Sequence, residues 1–141
     1  MKVLILSWAF PVSHGRKGQL TEFLAKYKRR EKLHTIRANV KGHFKAGEKV
    51  SVRQWSGKPY ATKQLQIGTD VIGIEPVRIV NASNGLHAFV GDERINVQDL
   101  IRNDGLTHND FRDWFFPTGQ FGEFRGDILH FTDFRYVEGA V

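Results

Sequence analysis

Short stretches of alternating polarity, each closed by a glycine or a tight-turn pair, recur along this chain and limit it to folds built on sheet. In LHTIR (33–37), Leu33, Thr35 and Arg37 alternate with His34 and Ile36, and KVSVRQW (49–55) alternates again after the turn signal Gly47-Glu48. LQIG (65–68), VIGIEPVRIVNA (71–82) and LHAFVG (86–91) predict further strands, with SNG (83–85) as a hairpin turn. KVLILSWAF (2–10) predicts a buried first strand, and GDILHFTDFRYV (126–137) closes the set. Helices interrupt this pattern twice. Thr21 can cap EFLAKYKRREK (22–32), which places Phe23, Leu24 and Tyr27 on one face. INVQDLIRNDGLTHNDFRDWFF (95–116) predicts a helix broken at Asp104-Gly105 and restarted with Thr107 as its cap, Phe111, Trp114 and Phe115 facing the core. The expected fold is α+β: a small, mostly antiparallel barrel with short flanking helices.

At 141 residues, 40% of them hydrophobic, the chain suits a single domain (1–141) with a real core, residues 1–31 forming an N-terminal strand and helix extension. The absence of cysteine excludes disulfides, a thiolate nucleophile and cysteine-bound zinc, and fits a reducing, cytoplasmic setting. The opening run starts like a signal peptide, but Ser7 and Pro11 interrupt its brief apolar part, so it reads as strand. No stretch approaches the length of a membrane span, and no membrane partner is expected.

Charge is divided unevenly. Residues 14–63 hold 14 lysines and arginines against Glu22, Glu31 and Glu48, a balance of +11 that leaves −5 for the rest of the total of +6. One strongly basic region on an otherwise acidic chain suits an anionic partner such as a nucleotide or RNA, although a solvated cationic surface has the same composition.

Within that region RQWSGKPYATKQ (53–64) interleaves aromatics, cations and amides as a base-stacking, phosphate-gripping loop does. Its candidate binding residues are Arg53, Trp55, Ser56, Gly57, Lys58, Tyr60, Lys63 and Gln64, with the Ser56 and Gly57 N–H groups free in principle to receive an anion. The same residues also suit an ordinary hairpin loop over packed Trp55 and Tyr60 rings. His14, His43, His87 and His108 lack metal-ligand spacing, and His130 sits in an apolar strand as a core residue. His34 points away from Thr35 and reads as structural. Neither a metal nor a cofactor is expected.

The run KLHTIRANVKGHFKAGEKVSVRQW (32–55), followed by NDGLTHNDFRDWFF and FRGDILHFTDF, resembles the ASCH domain family of the PUA-like superfamily. These are small β-barrels associated with RNA and modified nucleosides, and the resemblance spans Lys32 to Tyr136. Its most specific part is Lys32-x-x-Thr35-Ile36-Arg37 with His43 to Glu48, a spacing similar to that of bacterial amidohydrolases that deacetylate N(4)-acetylcytidine. The resemblance implies Lys32 as base, Thr35 as nucleophile and Asp104 as proton donor. Asp104 departs from the family pattern, which has glutamate there, one methylene longer. The implied partner is a nucleoside, a nucleotide or RNA, either hydrolysed or only bound.

Chemistry sets conditions on those roles. A threonine hydroxyl is a weak nucleophile, and Lys32 can activate it only if burial, or Arg30 and Arg37 nearby, lowers the ammonium pKa. Residues three apart on a strand face opposite ways, so Lys32 and Thr35 converge only if Lys32 lies in the turn before the strand. Arg37 shares the Thr35 face and can hold a phosphate or carbonyl oxygen. The alternative is that Lys32 terminates a helix, Thr35 fills a strand position and Arg37 makes a surface ion pair.

Overall fold

The computed structural model describes residues 1–137, so residues 138–141 of the expected domain lie outside the described residues. Strands β1 (Lys2–Leu6), β3 (Lys49–Trp55) and β4 (Gln64–Val71) form a three-stranded sheet in the order β1-β3-β4. Strands β2 (His34–Arg37), β8 (Gly122–His130), β5 (Gly73–Ala82), β6 (Gly85–Val90) and β7 (Glu93–Ile95) form a five-stranded sheet in that order. The helices are α1 (Phe23–Lys28), α2 (Val97–Asn103) and α3 (His108–Phe115).

The α+β class expected from the sequence is observed, but the barrel is not closed. Among the described residues no strand pair joins the two sheets. The chain crosses from one to the other at Ile72, whose N–H donates to Glu48 O at 2.9 Å and whose carbonyl accepts from Gly47 at 2.8 Å. One pairing is parallel, β1 with β3, in a register that sets Leu6 beside Gln54. A parallel pair needs a crossover, and here the crossover carries α1 and β2.

Within residues 1–31, β1 is a strand of the smaller sheet and α1 packs on the core. Leu4 and Leu6 are buried in the same apolar cluster as Val50, Val52, Ile79 and Ile128. Helix α1 buries Phe23 and Tyr27, and Tyr27 donates to Asp70 on β4. Gly68 makes that approach possible, since a Cβ there would lie 2.4 Å from the tyrosine oxygen. Thr21 Oγ1 accepts from Phe23 N at 3.3 Å while donating to Ser7 O at 2.6 Å, which ties the helix start to the end of β1.

Strand β8 is the spine of the larger sheet, between β2 and β5. Gly126 lets β2 lie close: a Cβ at that position would sit 2.3 Å from the Arg37 carbonyl oxygen. Backbone cannot yield as a flexible side chain does. Gly126→Ala is therefore expected to cost about 3 kcal/mol or more, at the upper end for overpacking, and to displace Arg37. Urea titration of the variant measures the first effect, and the backbone amide shift of Arg37 the second.

Candidate functional site

Two helix ends and one strand start bring the chemistry together. Helix α1 closes with Glu31 and Lys32 both donating N–H bonds to Lys26 O, at 2.9 and 3.1 Å, and with Arg30 in the left-handed region at φ 59°. That closure reverses the chain. Leu33 N then donates to Asn103 O at 2.7 Å, and its carbonyl accepts from Phe131 N at 3.0 Å, so Lys32 enters β2 from a turn clasped between α2 and β8. This is the placement that convergence with Thr35 requires.

Asp104 reaches the same point from α2, whose start is capped by Asn96 and whose end is closed by Gly105 at φ 79°. Gly105 also packs tightly, because a Cβ there would lie 3.2 Å from Lys32 Cβ. Helix α3 restarts two residues on, with Thr107 Oγ1 accepting from Asp110 N at 3.3 Å as the sequence predicted.

Lys32 is only 2% exposed, and its ammonium donates to Asp104 O at 2.8 Å and Asp104 Oδ1 at 3.1 Å. The carbonyl is one of the last of α2, where a cation is favoured. Phe23 lies beneath, its ring centroid 4.1 Å from Nζ. Burial lowers the Lys32 pKa most, opposed by Asp104, with Arg37 and Lys26 lowering it further. The second cation is thus Lys26 and not Arg30, which lies over the Tyr27 ring at 5.8 Å.

Arg37 is half-buried, and desolvation lowers its pKa against the opposing charge of Asp104. Its Nε donates to Thr35 Oγ1 at 3.3 Å, and its terminal nitrogen donates to Ile5 O on β1. A guanidinium beside the Thr35 oxygen favours the alkoxide and leaves the hydroxyl proton to be given away.

Lys32, Thr35, Arg37 and Asp104 line one semi-enclosed cavity of about 140 Å³. Its remaining walls include Ser7, Phe23, Leu106, Trp114 and Phe115. Sequence reasoning placed Phe23, Trp114 and Phe115 in the core and overlooked them here. The signal was a surplus: α3 with its cap carries four aromatics, Phe111, Trp114, Phe115 and Phe116, more than one buried stripe of two turns uses. A larger, open groove of about 690 Å³ lies across the Gly105 turn, among Lys26, Arg30, Leu33, Ile101 and Arg102. The larger groove also holds Thr107, Glu31 and exposed cations, whereas the smaller cavity sets a buried hydroxyl and a buried carboxylate against the desolvated cations Lys32 and Arg37.

The loop at 53–64 is not part of that cavity's lining. Arg53 donates to Ser51 Oγ at 3.0 Å and to Gln64 Oε1 at 3.1 Å. The Ser56 and Gly57 N–H groups already donate, to Lys63 O at 2.9 Å and Thr62 Oγ1 at 3.1 Å, and are not waiting for an anion. Trp55 is half-buried against Tyr60, ring centroids 5.0 Å apart, and Tyr60 is 90% exposed with φ 63°. Lys58 and Lys63 are exposed beside them. Because Trp55 follows Gln54 and Gln54 pairs with Leu6, the loop leaves the sheet at the end of β1 that borders the cavity.

His34 does more than fill the far face of β2. It is fully buried, with Nδ1 3.3 Å from Asp104 Oδ1 in a poorly aligned contact and Nε2 2.6 Å from Tyr136 OH. His130 is half satisfied: Nε2 donates to Glu75 Oε1 at 2.7 Å, Nδ1 has no partner among the described residues, and burial pushes its pKa down to about 3. Among the described residues no group of three or more His, Cys, Asp or Glu side chains is gathered as a metal would require, and no helix is long and apolar enough to cross a membrane.

An α+β domain with a lysine, a threonine and a carboxylate converging on a small aromatic-walled cavity is the class these features define. Neither a family model, nor a curated protein, nor a solved structure matches the chain.

Proposed function

We propose that this is an ASCH-type, PUA-like domain that binds a modified cytosine nucleoside, alone or within a nucleotide or RNA, and hydrolyses its N(4)-acyl amide. The supporting observation is the convergence of Lys32, Thr35, Arg37 and Asp104 on one cavity of about 140 Å³. That volume is below the roughly 300–1,000 Å³ of pockets that enclose whole ligands, so it suits the acylamino edge of a base with the sugar outside. Phe23, Trp114 and Phe115 supply the apolar and stacking walls.

In the proposed reaction neutral Lys32 takes the Thr35 proton as Oγ1 attacks the acyl carbon. The oxyanion that forms faces the Arg37 guanidinium. Lys32 passes the proton through Asp104 to the leaving nitrogen as the C–N bond breaks, releasing the free amino base and leaving an acyl ester on Thr35. Water then attacks the ester and gives its proton to Lys32, and Lys32 returns that proton to Thr35 Oγ1 as the ester C–O bond breaks, releasing the carboxylic acid and restoring both the hydroxyl and the neutral base. Incubation with N(4)-acetylcytidine and chromatography for cytidine tests this directly. Absence of product at high enzyme concentration would sink it.

A second reading, binding without turnover, is favoured by the Trp55–Tyr60 pair and by Lys58 and Lys63, which lie outside the cavity and have no part in the chemistry. Two expectations concern this loop. Affinity for single-stranded RNA should fall as salt rises, because phosphate contacts release counterions; fluorescence anisotropy over a salt series measures it, and a flat profile would remove the polyanion from consideration. Trp55→Ala should weaken RNA binding by about 1–3 kcal/mol, the value of one lost base stack, with the fold retained. Loss of the fold in that variant, seen by circular dichroism, would make Trp55 a packing residue instead.

A further inference from the structure

Behind the cavity, on the face of β2 opposite Thr35, lies a chain of buried polar side chains that the proposed reaction does not use. Asn103 Nδ2 donates to Tyr136 OH at 3.1 Å, Tyr136 OH lies 2.6 Å from His34 Nε2, and His34 Nδ1 lies 3.3 Å from Asp104 Oδ1. Tyr136 is itself held in place, since its backbone N–H donates to Glu75 Oε1 at 2.9 Å and that of Val137 to Glu75 Oε2 at 3.1 Å. Glu75 is 1% exposed and also receives His130 Nε2.

Proton counting settles the tautomer. A phenol oxygen that accepts from Asn103 has one proton to give, and His34 Nε2 is the acceptor beside it. His34 then carries its own proton on Nδ1, facing the Asp104 carboxylate. The other tautomer sets a bare Nδ1 lone pair against that carboxylate and leaves the phenol proton without an acceptor. Burial and the Lys32 ammonium oppose the imidazolium, and burial holds the phenol protonated.

We propose that Tyr136 and His34 are positioning residues: they fix the Asp104 carboxylate so that Oδ1 is held between Lys32 and His34 while Oδ2 is the oxygen presented to the ligand. Oδ1 has both neighbours within 3.3 Å, of which Lys32 makes a hydrogen bond and His34 a contact that is not aligned as one. Oδ2 makes no hydrogen bond among the described residues, and Asp104 lines the cavity. The arrangement compensates for the short side chain, because an aspartate cannot swing to find its partners as a glutamate can. This inference rests on the hydrolytic reading for its kinetic consequence, but not for its geometry.

Two readouts therefore separate them. Long-range proton–nitrogen correlation spectra of the chain labelled with ¹⁵N-histidine should show His34 as the neutral Nδ1–H tautomer near neutral pH, and Tyr136→Phe should weaken that preference, leaving the Asp104 carboxylate alone to favour it. With N(4)-acetylcytidine, Tyr136→Phe and His34→Gln should lower kcat by about 10–100-fold, by analogy with the partners that orient metal ligands, with KM within about twofold. An Nε2–H tautomer or an imidazolium in the unmodified chain overturns the proposal whether or not the variants fold. Unchanged kcat in both folded variants overturns it as well. The expected tautomer in a chain that turns over no acylcytidine would overturn the hydrolase reading alone.

Discussion

Lys32→Arg should lower turnover of N(4)-acetylcytidine by about 10²–10⁴-fold, the usual contribution of a positioned general base, and Lys32→Ala should do the same. Both lose the base, one by deletion and the other because a guanidinium stays protonated at any working pH. Affinity for the nucleoside should survive in Lys32→Ala, since Arg37 and the aromatic walls remain. A domain that only binds predicts the reverse: Lys32→Arg keeps affinity because the charge is kept, and Lys32→Ala loses some of it. Calorimetric affinity and chromatographic turnover on both variants decide the matter. Retained turnover in Lys32→Arg would remove Lys32 from the mechanism.

Asp104→Ala should be the most destabilising single change at the site, by about 3–5 kcal/mol, because it leaves the Lys32 ammonium buried without its counter-charge. Its pH dependence has a definite sign. Desolvation already holds the Lys32 pKa below its ordinary value, and Asp104 is the largest influence opposing that shift. Without Asp104 the folded-state pKa falls further below the unfolded value of about 10.4. At pH values below the folded pKa both states are protonated and the full cost is present. As pH rises through the folded pKa, the native state sheds its proton first, the unfolded state holds more protons, and stability climbs. Urea melts should accordingly show the deficit largest at the lower pH values and shrinking as pH rises toward the unfolded value. Adding Lys32→Met to Asp104→Ala should recover most of the loss at the lower pH. A deficit that grows with pH would mean that Lys32 is not the source.

Local patterns in the sequence were sufficient where the signal was local. The SNG hairpin, the helix break at Asp104-Gly105, the Thr107 cap and the strand at KVSVRQW all appear as expected, although Val50, Ser51 and Val52 are buried in succession rather than in alternation. Boundaries moved: β1 stops at Leu6, α1 at Lys28 and β8 at His130, each short of the run that suggested it. Strand β7 at Glu93–Ile95 is three residues long and carried no periodicity to read. The open pair of sheets and the parallel partnership of β1 depend on which strands meet across more than forty residues of chain, and alternation is silent on that.

The site divides in the same way. Lys32, Thr35, Arg37 and Asp104 were legible and do meet at one cavity. The aromatic loop lies beside that cavity instead of within it, since only the pairing of Gln54 with Leu6 decides where the loop emerges. His34 was set aside by face alternation, a sound rule for the strand itself. It failed here because Asp104 arrives from α2 and is reached from both faces of β2 at once.

The bond between His34 and Tyr136 joins residues 102 positions apart. Translation proceeds at about 5–20 residues per second, so roughly 5–20 s separate the synthesis of the imidazole from that of the phenol that orients it. Throughout that interval the lysine and the threonine already exist in the nascent chain while the carboxylate still lacks its support. Until Tyr136 has been made, the cavity lined by Lys32, Thr35 and Asp104 lacks the phenol behind it, and its geometry is completed only after the whole of β8 has been synthesised.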